Sequence, residues 1–169
     1  TVFVTHDQDE AFEMSDRVIL MNGGHIEQVG SPETLYDSPR TRFAASFIGE
    51  SSLVPCRVTD VAGDDLTVEL GNGFTVKARA ARPGEGKGAS ALLMVRPERV
   101  TLSDADAPGA LPAMIAKRVF QGERILFQLT TDGGHGIQCS VPSIEQYRAM
   151  REGQKVGAVL HECRVIPGA

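Results

Sequence analysis

The feature that most constrains the fold is a change of texture at Glu50. Beyond it, short runs of Val, Leu, Thr and Phe alternate with glycine-containing breaks through the rest of the chain. β-Branched and aromatic residues suit a pleated, half-buried surface, and regularly spaced breaks read as turns between antiparallel strands. The qualifying runs are 55–61, 66–70, 74–78, 91–95, 114–120, 124–130, 136–141 and 156–165, the last interrupted near His161. Turns are expected at Gly63-Asp64-Asp65, Gly71-Asn72-Gly73 and Asp132-Gly133-Gly134, whose residues tolerate turn geometry. A single helix is expected after Ser143, with Gln146 at capping-box spacing, Ile144 and Tyr147 facing inward and Gly153 as its stop. Many short strands with one short helix predict an OB-like β-barrel.

The first 49 residues read differently. Thr1-Val2-Phe3-Val4-Thr5 has three consecutive apolar residues, the pattern of a strand covered on both faces in a parallel α/β sheet. Such a strand rarely opens a protein alone, so a cut inside a larger α/β domain is the expected origin of this end. Asp7 and Glu10 have capping-box spacing and predict a short helix with an acidic first turn. Residues 18–21 and 25–29 flank Asn22-Gly23-Gly24 and predict a hairpin. Ser31-Pro32 and Ser38-Pro39 each place a hydroxyl before a proline suited to the first helical position; Phe43, Phe47 and Ile48 then share a helix face that Gly49 closes.

Composition narrows the function. With 41% hydrophobic and 23% charged residues the chain has ordinary globular composition, and its 169 residues suit two unequal domains. A net charge of -5 opposes nucleic-acid binding, which needs clustered cations to displace counterions. Cys56, Cys139 and Cys163 lie far apart without a C-x-x-C pair, so neither a zinc site nor a disulfide framework is expected. No apolar run approaches the roughly 20 residues that span a bilayer, so membrane association has to come through a partner.

A histidine just after a buried parallel strand projects at the carboxyl edge of a sheet, where ligands of open α/β sheets bind. By itself a strand-end histidine such as His6 is more often a structural hydrogen-bonding or solvated residue than a functional one. The surrounding text adds more. Val4-Thr5-His6-Asp7-Gln8-Asp9-Glu10-Ala11, then Ser15-Asp16-Arg17-Val18, then 21–30 closely resemble the switch-histidine region of ABC transporter ATPases. The resemblance continues through Ser31-Pro32-Glu33-Thr34-Leu35-Tyr36 and Phe47-Ile48-Gly49-Glu50, as in importers for polyamines, iron(III) and sugars, covering about 50 residues in fixed order. Val95-Arg96-Pro97-Glu98 and the glycine-punctuated strands are similar to the TOBE domain that follows the ATPase in those subunits.

The resemblance implies a mainly β chain: a TOBE-type OB-like β domain over 50–169, preceded by a truncated α/β piece of the ABC ATPase domain over 1–49. It implies that His6 is the catalytic switch histidine, contacting the γ-phosphate and helping to orient the attacking water. ATP and Mg would serve the full-length parent, with none expected in this fragment. Implied partners are a second copy in a homodimer, transmembrane permease subunits and a solute-binding protein, with the subunit cytoplasmic and peripheral on the inner face of the plasma membrane. The implied cargo is polyamine first, with iron(III) and sugar behind it. Asp7 and Gln8 match the family text and are read as capping and strand-edge residues.

The departures matter as much. A complete ATPase of this type needs a Gly-x-x-x-x-Gly-Lys-Ser/Thr phosphate loop, a magnesium-binding Asp with an adjacent catalytic Glu, and a signature loop, and none occurs in these residues. Gly84-Glu85-Gly86-Lys87-Gly88 has the composition of a phosphate cradle, but Gly follows Lys87 and no strand leads in, so a connection between strands is the better reading. Arg96 and Glu98 read as a local ion pair worth under about 1 kcal/mol if exposed, with a regulatory or inter-subunit contact as the alternative. Residues 133–136 read as a hairpin turn before an anion nest, and His25 and His161 lack ligands at metal spacing.

A competing reading is a freestanding regulatory module whose β domain captures a small ligand such as an oxyanion. Under the importer reading, the chain alone neither binds ATP tightly nor hydrolyses it; turnover by the purified chain that His6→Ala abolishes would contradict this.

Overall fold

The computed structural model describes residues 1–71, 73–82, 84 and 86–168. Asn72 of the expected second turn and Glu85 of the glycine-rich segment lie outside them. The chain divides into two compact units, Thr1–Glu50 and Ser51–Ala169.

In the first unit, helix α1 (Gln8–Met14) is capped by Asp7, whose carboxylate accepts from the Asp9 and Glu10 amides. Glu10 does not return the bond as a capping box would; its Oε2 accepts from the Thr5 hydroxyl at 2.8 Å, while Thr5 Oγ1 accepts from the Asp7 amide at 3.0 Å. Strands β1 (Val18–Asn22) and β2 (His25–Gly30) form the expected antiparallel hairpin. Helix α2 (Pro32–Asp37) has Ser31 as cap and Pro32 in its first turn. Helix α3 (Arg42–Phe47) is capped by Thr41, not by Ser38, which instead closes α2.

Gln28 explains the shift. It is 4% exposed; its Nε2 donates to Ser38 O at 3.0 Å and its Oε1 accepts from Arg40 N at 2.8 Å. Both backbone groups flanking Pro39 are thus held away from a helix, and the next hydroxyl, Thr41, takes the cap. Leu20, Leu35, Ala44 and Ile48 form the small core of this unit, with Phe12, Val18, Tyr36 and Phe43 against it. The strand expected over residues 1–5 does not form. A strand exists through its ladder, none runs beside these residues among those described, and Val2 and Val4 are 93% and 90% exposed.

Among the described residues the second unit contains ten strands. β3 (Ser52–Ala62), β4 (Asp65–Glu69), β5 (Thr75–Ala80) and β6 (Ser90–Val95) follow one another; a short 3-10 turn (Pro97–Arg99) leads to β7 (Val100–Ser103). Then come β8 (Leu111–Phe120), β9 (Arg124–Thr131), β10 (Gly136–Pro142), helix α4 (Glu145–Arg148), β11 (Lys155–Leu160) and β12 (Arg164–Pro167). The expected OB-like barrel is present, closed in the order β12-β5-β4-β3-β6, and the same unit holds a second five-stranded sheet in the order β10-β9-β8-β11-β7. Inward residues of both, among them Val54, Val68, Leu93, Ile115, Phe127 and Ile137, belong to one core cluster.

Two strands start earlier than the expected runs 55–61 and 114–120, at Ser52 and Leu111. Pro55 lies inside β3 and Pro112 inside β8, but the ladder from β3 to β4 begins only at Arg57 and that from β8 to β9 only at Ala113. Each proline therefore sits where its strand has one neighbour, the edge position at which a missing N–H is tolerated. The run 156–165 divides at His161 into strands of different sheets. The α4 expectation needs correction: its cap position is Ile144, with no side-chain cap, and Ile144 is 49% exposed. The Ser143 hydroxyl is engaged instead by Arg148 Nε at 2.9 Å. The helix ends at Ala149, before Gly153.

Gly157 in β11 lies between Ser103 of β7 and Pro112 of β8. A Cβ there would stand 2.5 Å from Asp104 O and 2.7 Å from Ala110 Cβ, so backbone would have to move. Gly157→Ala should destabilise the chain by about 1–3 kcal/mol, the usual cost of overpacking, measured as a lower urea midpoint at unchanged slope.

Candidate functional site

His6 sits in the bend between the Thr5–Glu10 bridge and the α1 cap. The backbone on both sides is fixed, because Thr5 Oγ1 holds the Asp7 amide, Asp7 O accepts from Ala11 N at 3.2 Å, and Asp7 Oδ1 accepts from Asp9 N at 2.9 Å. The imidazole itself is exposed and makes no hydrogen bond or ion pair among the described residues. The result is a free ring on a rigid base. With no strand before it, the placement of His6 at a sheet edge is not observed in these residues.

Gln8, read from sequence as a strand-edge residue, is a clamp. Its Nε2 donates to Phe47 O at 2.6 Å and its Oε1 accepts from Gly49 N at 3.1 Å, tying α1 to the end of α3. Gly49 has φ 66, the left-handed turn expected at a helix C-terminus. Phe43 and Phe47 stack at 5.4 Å on the face anticipated for them.

The glycine-rich segment after β5 offers no phosphate cradle in its described part. Gly88 N–H donates to Val58 O at 2.7 Å and Val58 N–H to Ala89 O at 2.9 Å, so these amides stitch the connection to β3. Arg96 is buried at 3% exposure instead of lying on the surface. The ion pair at this corner that sequence reasoning missed is Arg99 to Glu162 at 2.6 Å. His161 Nε2 lies 3.0 Å from Thr101 Oγ1, and His25 is exposed on the hairpin. Among the described residues no group of three or more His, Cys, Asp or Glu could hold a metal ion, and no helix is long and apolar enough to cross a membrane.

Residues 93–166 match the family model of the TOBE domain. Over 79% of its length the chain is 41% identical to the spermidine/putrescine import ATP-binding protein PotA of Ruegeria pomeroyi. Over 79% it is 40% identical to the Fe(3+) ions import ATP-binding protein FbpC of Agrobacterium fabrum. The chain is a relative of ABC importer ATP-binding subunits. It spans 35% and 36% of the length of those two relatives. A solved structure of the cytoplasmic molybdate-binding protein ModG, with molybdate bound, shares the fold at a TM-score of 0.56 and 19% identity, over 68% of this chain and 92% of that one.

The TOBE match begins inside β6 and ends inside β12, the two strands that pair with each other across the barrel. It therefore encloses the whole second sheet.

The buried cysteines of the TOBE stretch are chemically quiet. Burial pushes the Cys139 and Cys163 thiols from an ordinary value of 9.0 up to about 12 each. Cys139 Sγ also donates to Val100 O at 3.1 Å. Because the folded state holds these protons more tightly than the unfolded one, their contribution is fully present below pH 9 and is lost as pH rises toward about 12. Iodoacetamide at pH near 8 should leave both thiols unmodified in the native chain and alkylate both in urea, as peptide mass mapping would show. Unfolding free energy should fall between pH 9 and about 12.

Proposed function

We propose that the chain is the C-terminal part of the ATP-hydrolysing subunit of a bacterial ABC importer. The observation that carries this reading is its 41% and 40% identity to import ATP-binding proteins over 79% of its length. An exposed imidazole on a rigid base, at the residue whose surroundings resemble the switch-histidine text, supports it. Spermidine or putrescine is the proposed cargo, and Fe(3+) stands level with it, since relatives named for each are almost equally similar. The subunit works as a homodimer on permease subunits supplied by a solute-binding protein, peripheral to the inner face of the plasma membrane. The β unit contributes regulation or dimer contacts.

In this reading the residues at hand do one thing to the nucleotide: a His6 ring nitrogen donates a hydrogen bond to a terminal phosphate oxygen. Phosphoryl transfer is catalysed mainly by positioning and charge stabilisation, so one fixed donor matters. These residues do not build the triphosphate or magnesium site. Asp7 is engaged in capping α1 and Glu10 accepts from Thr5, and their charge at the helix start opposes a bare phosphate. Those parts belong to other segments of a polypeptide of the relatives' length.

In a chain of that length, His6→Ala should lower ATPase turnover about 100- to 1,000-fold, the effect of losing one transition-state donor, with nucleotide affinity nearly unchanged. Full turnover in the variant would sink the assignment of His6. Uptake of labelled spermidine against labelled Fe(3+) in cells carrying the intact subunit decides the cargo.

A further inference from the structure

Between the barrel and the second sheet lies an open-mouthed cavity of about 300 Å³, within the second unit. Its walls are Val54 of β3, Leu70 and Phe74 from the turn between β4 and β5, and Leu111 at the start of β8; Asp132 and His135 stand on the turn between β9 and β10. The volume lies at the lower end of the range of roughly 300–1,000 Å³ for small-molecule sites, and an apolar wall with a few polar groups is their usual make-up.

The polar side is built, not incidental. Thr131 N donates to His135 O at 2.9 Å, Gly134 N to Thr131 O at 2.8 Å, and His135 N to Thr131 Oγ1 at 3.2 Å. These three bonds fix the turn that carries both side chains. The imidazole of His135 packs on the open side of Gly133, where a Cβ would lie 3.3 Å from Cδ2. A mouth already held in one geometry loses little freedom when a ligand enters.

Charge selects the ligand class. Among the described residues no Lys or Arg lines the cavity, and Asp132 is the one carboxylate. An oxyanion would meet a negative charge and find no cation. A metal ion would find too few ligands, in keeping with the absence of a metal-binding group among the described residues. A chain with several ammonium groups would meet a single counter-charge there, so its further cations gain nothing from the site. We propose that this cavity binds a small organic monocation, one ammonium group on a compact apolar body, with the ammonium on Asp132 and the body against Phe74 and Leu111. The site lies wholly within the second unit and is independent of the importer reading.

Titration calorimetry of the full 169-residue chain tests it, with phenethylamine as the probe and spermidine and molybdate as comparison probes. Phenethylamine should bind saturably at one site and more tightly than either comparison. Asp132 is exposed, so Asp132→Asn should melt like the parent yet bind at least about tenfold more weakly, the loss expected when a charge-assisted hydrogen bond becomes a neutral one. Absence of saturable binding, equal affinity in Asp132→Asn, or tighter binding of spermidine or molybdate overturns the assignment.

Discussion

The architecture of the second unit depends on the return of β12 to a barrel begun more than a hundred residues before it, at Ser52. β12 pairs in parallel with β5, Arg164 beside Arg79 and Val165 beside Ala80, and antiparallel with β6 from Arg164 to Pro167. Without it, β5 and β6 would each expose an open row of backbone donors and acceptors. The bend that directs β12 there contains Glu162 at φ 48, a left-handed conformation that costs a non-glycine residue about 1–2 kcal/mol. Its ion pair with Arg99 does not outweigh that cost, since the two side chains are 65% and 37% exposed and an exposed pair is worth about 1 kcal/mol at most. The bend is held mainly by what lies on either side: His161 N on Arg99 O, Arg79 N on Cys163 O, and the burial of Val165 and Ile166.

The first unit solves a different problem. Its core holds few side chains, and small cores supply little hydrophobic stabilisation. Two glutamines compensate by bonding at both ends of the amide. Gln8 joins α1 to the end of α3, and Gln28 joins β2 to the segment between α2 and α3. An amide suits this work because it carries donor and acceptor together and can satisfy two backbone groups that a helix or sheet has left over. The rigidity under His6 comes from the same kind of local side-chain bonding at Thr5 and Asp7.

Much of this was legible in the residues. The hairpin at Asn22-Gly23-Gly24, the Asp7 cap and most of the strands beyond Glu50 follow from turn chemistry and alternation, which are local. β7 escaped notice because Val100-Thr101-Leu102-Ser103 is only four residues long and follows a proline that reads as an ending. The division of ten strands into a barrel and a sheet is a long-range matter, and no local pattern encodes which strand meets which. At the candidate site, His6 was legible through its neighbours in sequence. The clamp made by Gln8 was not, because its partners stand at Phe47 and Gly49, about forty positions away.

That late return of β12 bears on how the polypeptide is made. A ribosome adding roughly 5–20 residues per second delivers β3 to β6 several seconds before Arg164 leaves the exit tunnel. During that interval the half-built cylinder has a gap where its fifth stave belongs, while β8, β9 and β10 have time to pair; β11, which joins them to β7, emerges only just ahead of β12. The facing edges of β5 and β6 therefore stay open until residues 164–167 are available to seal the seam.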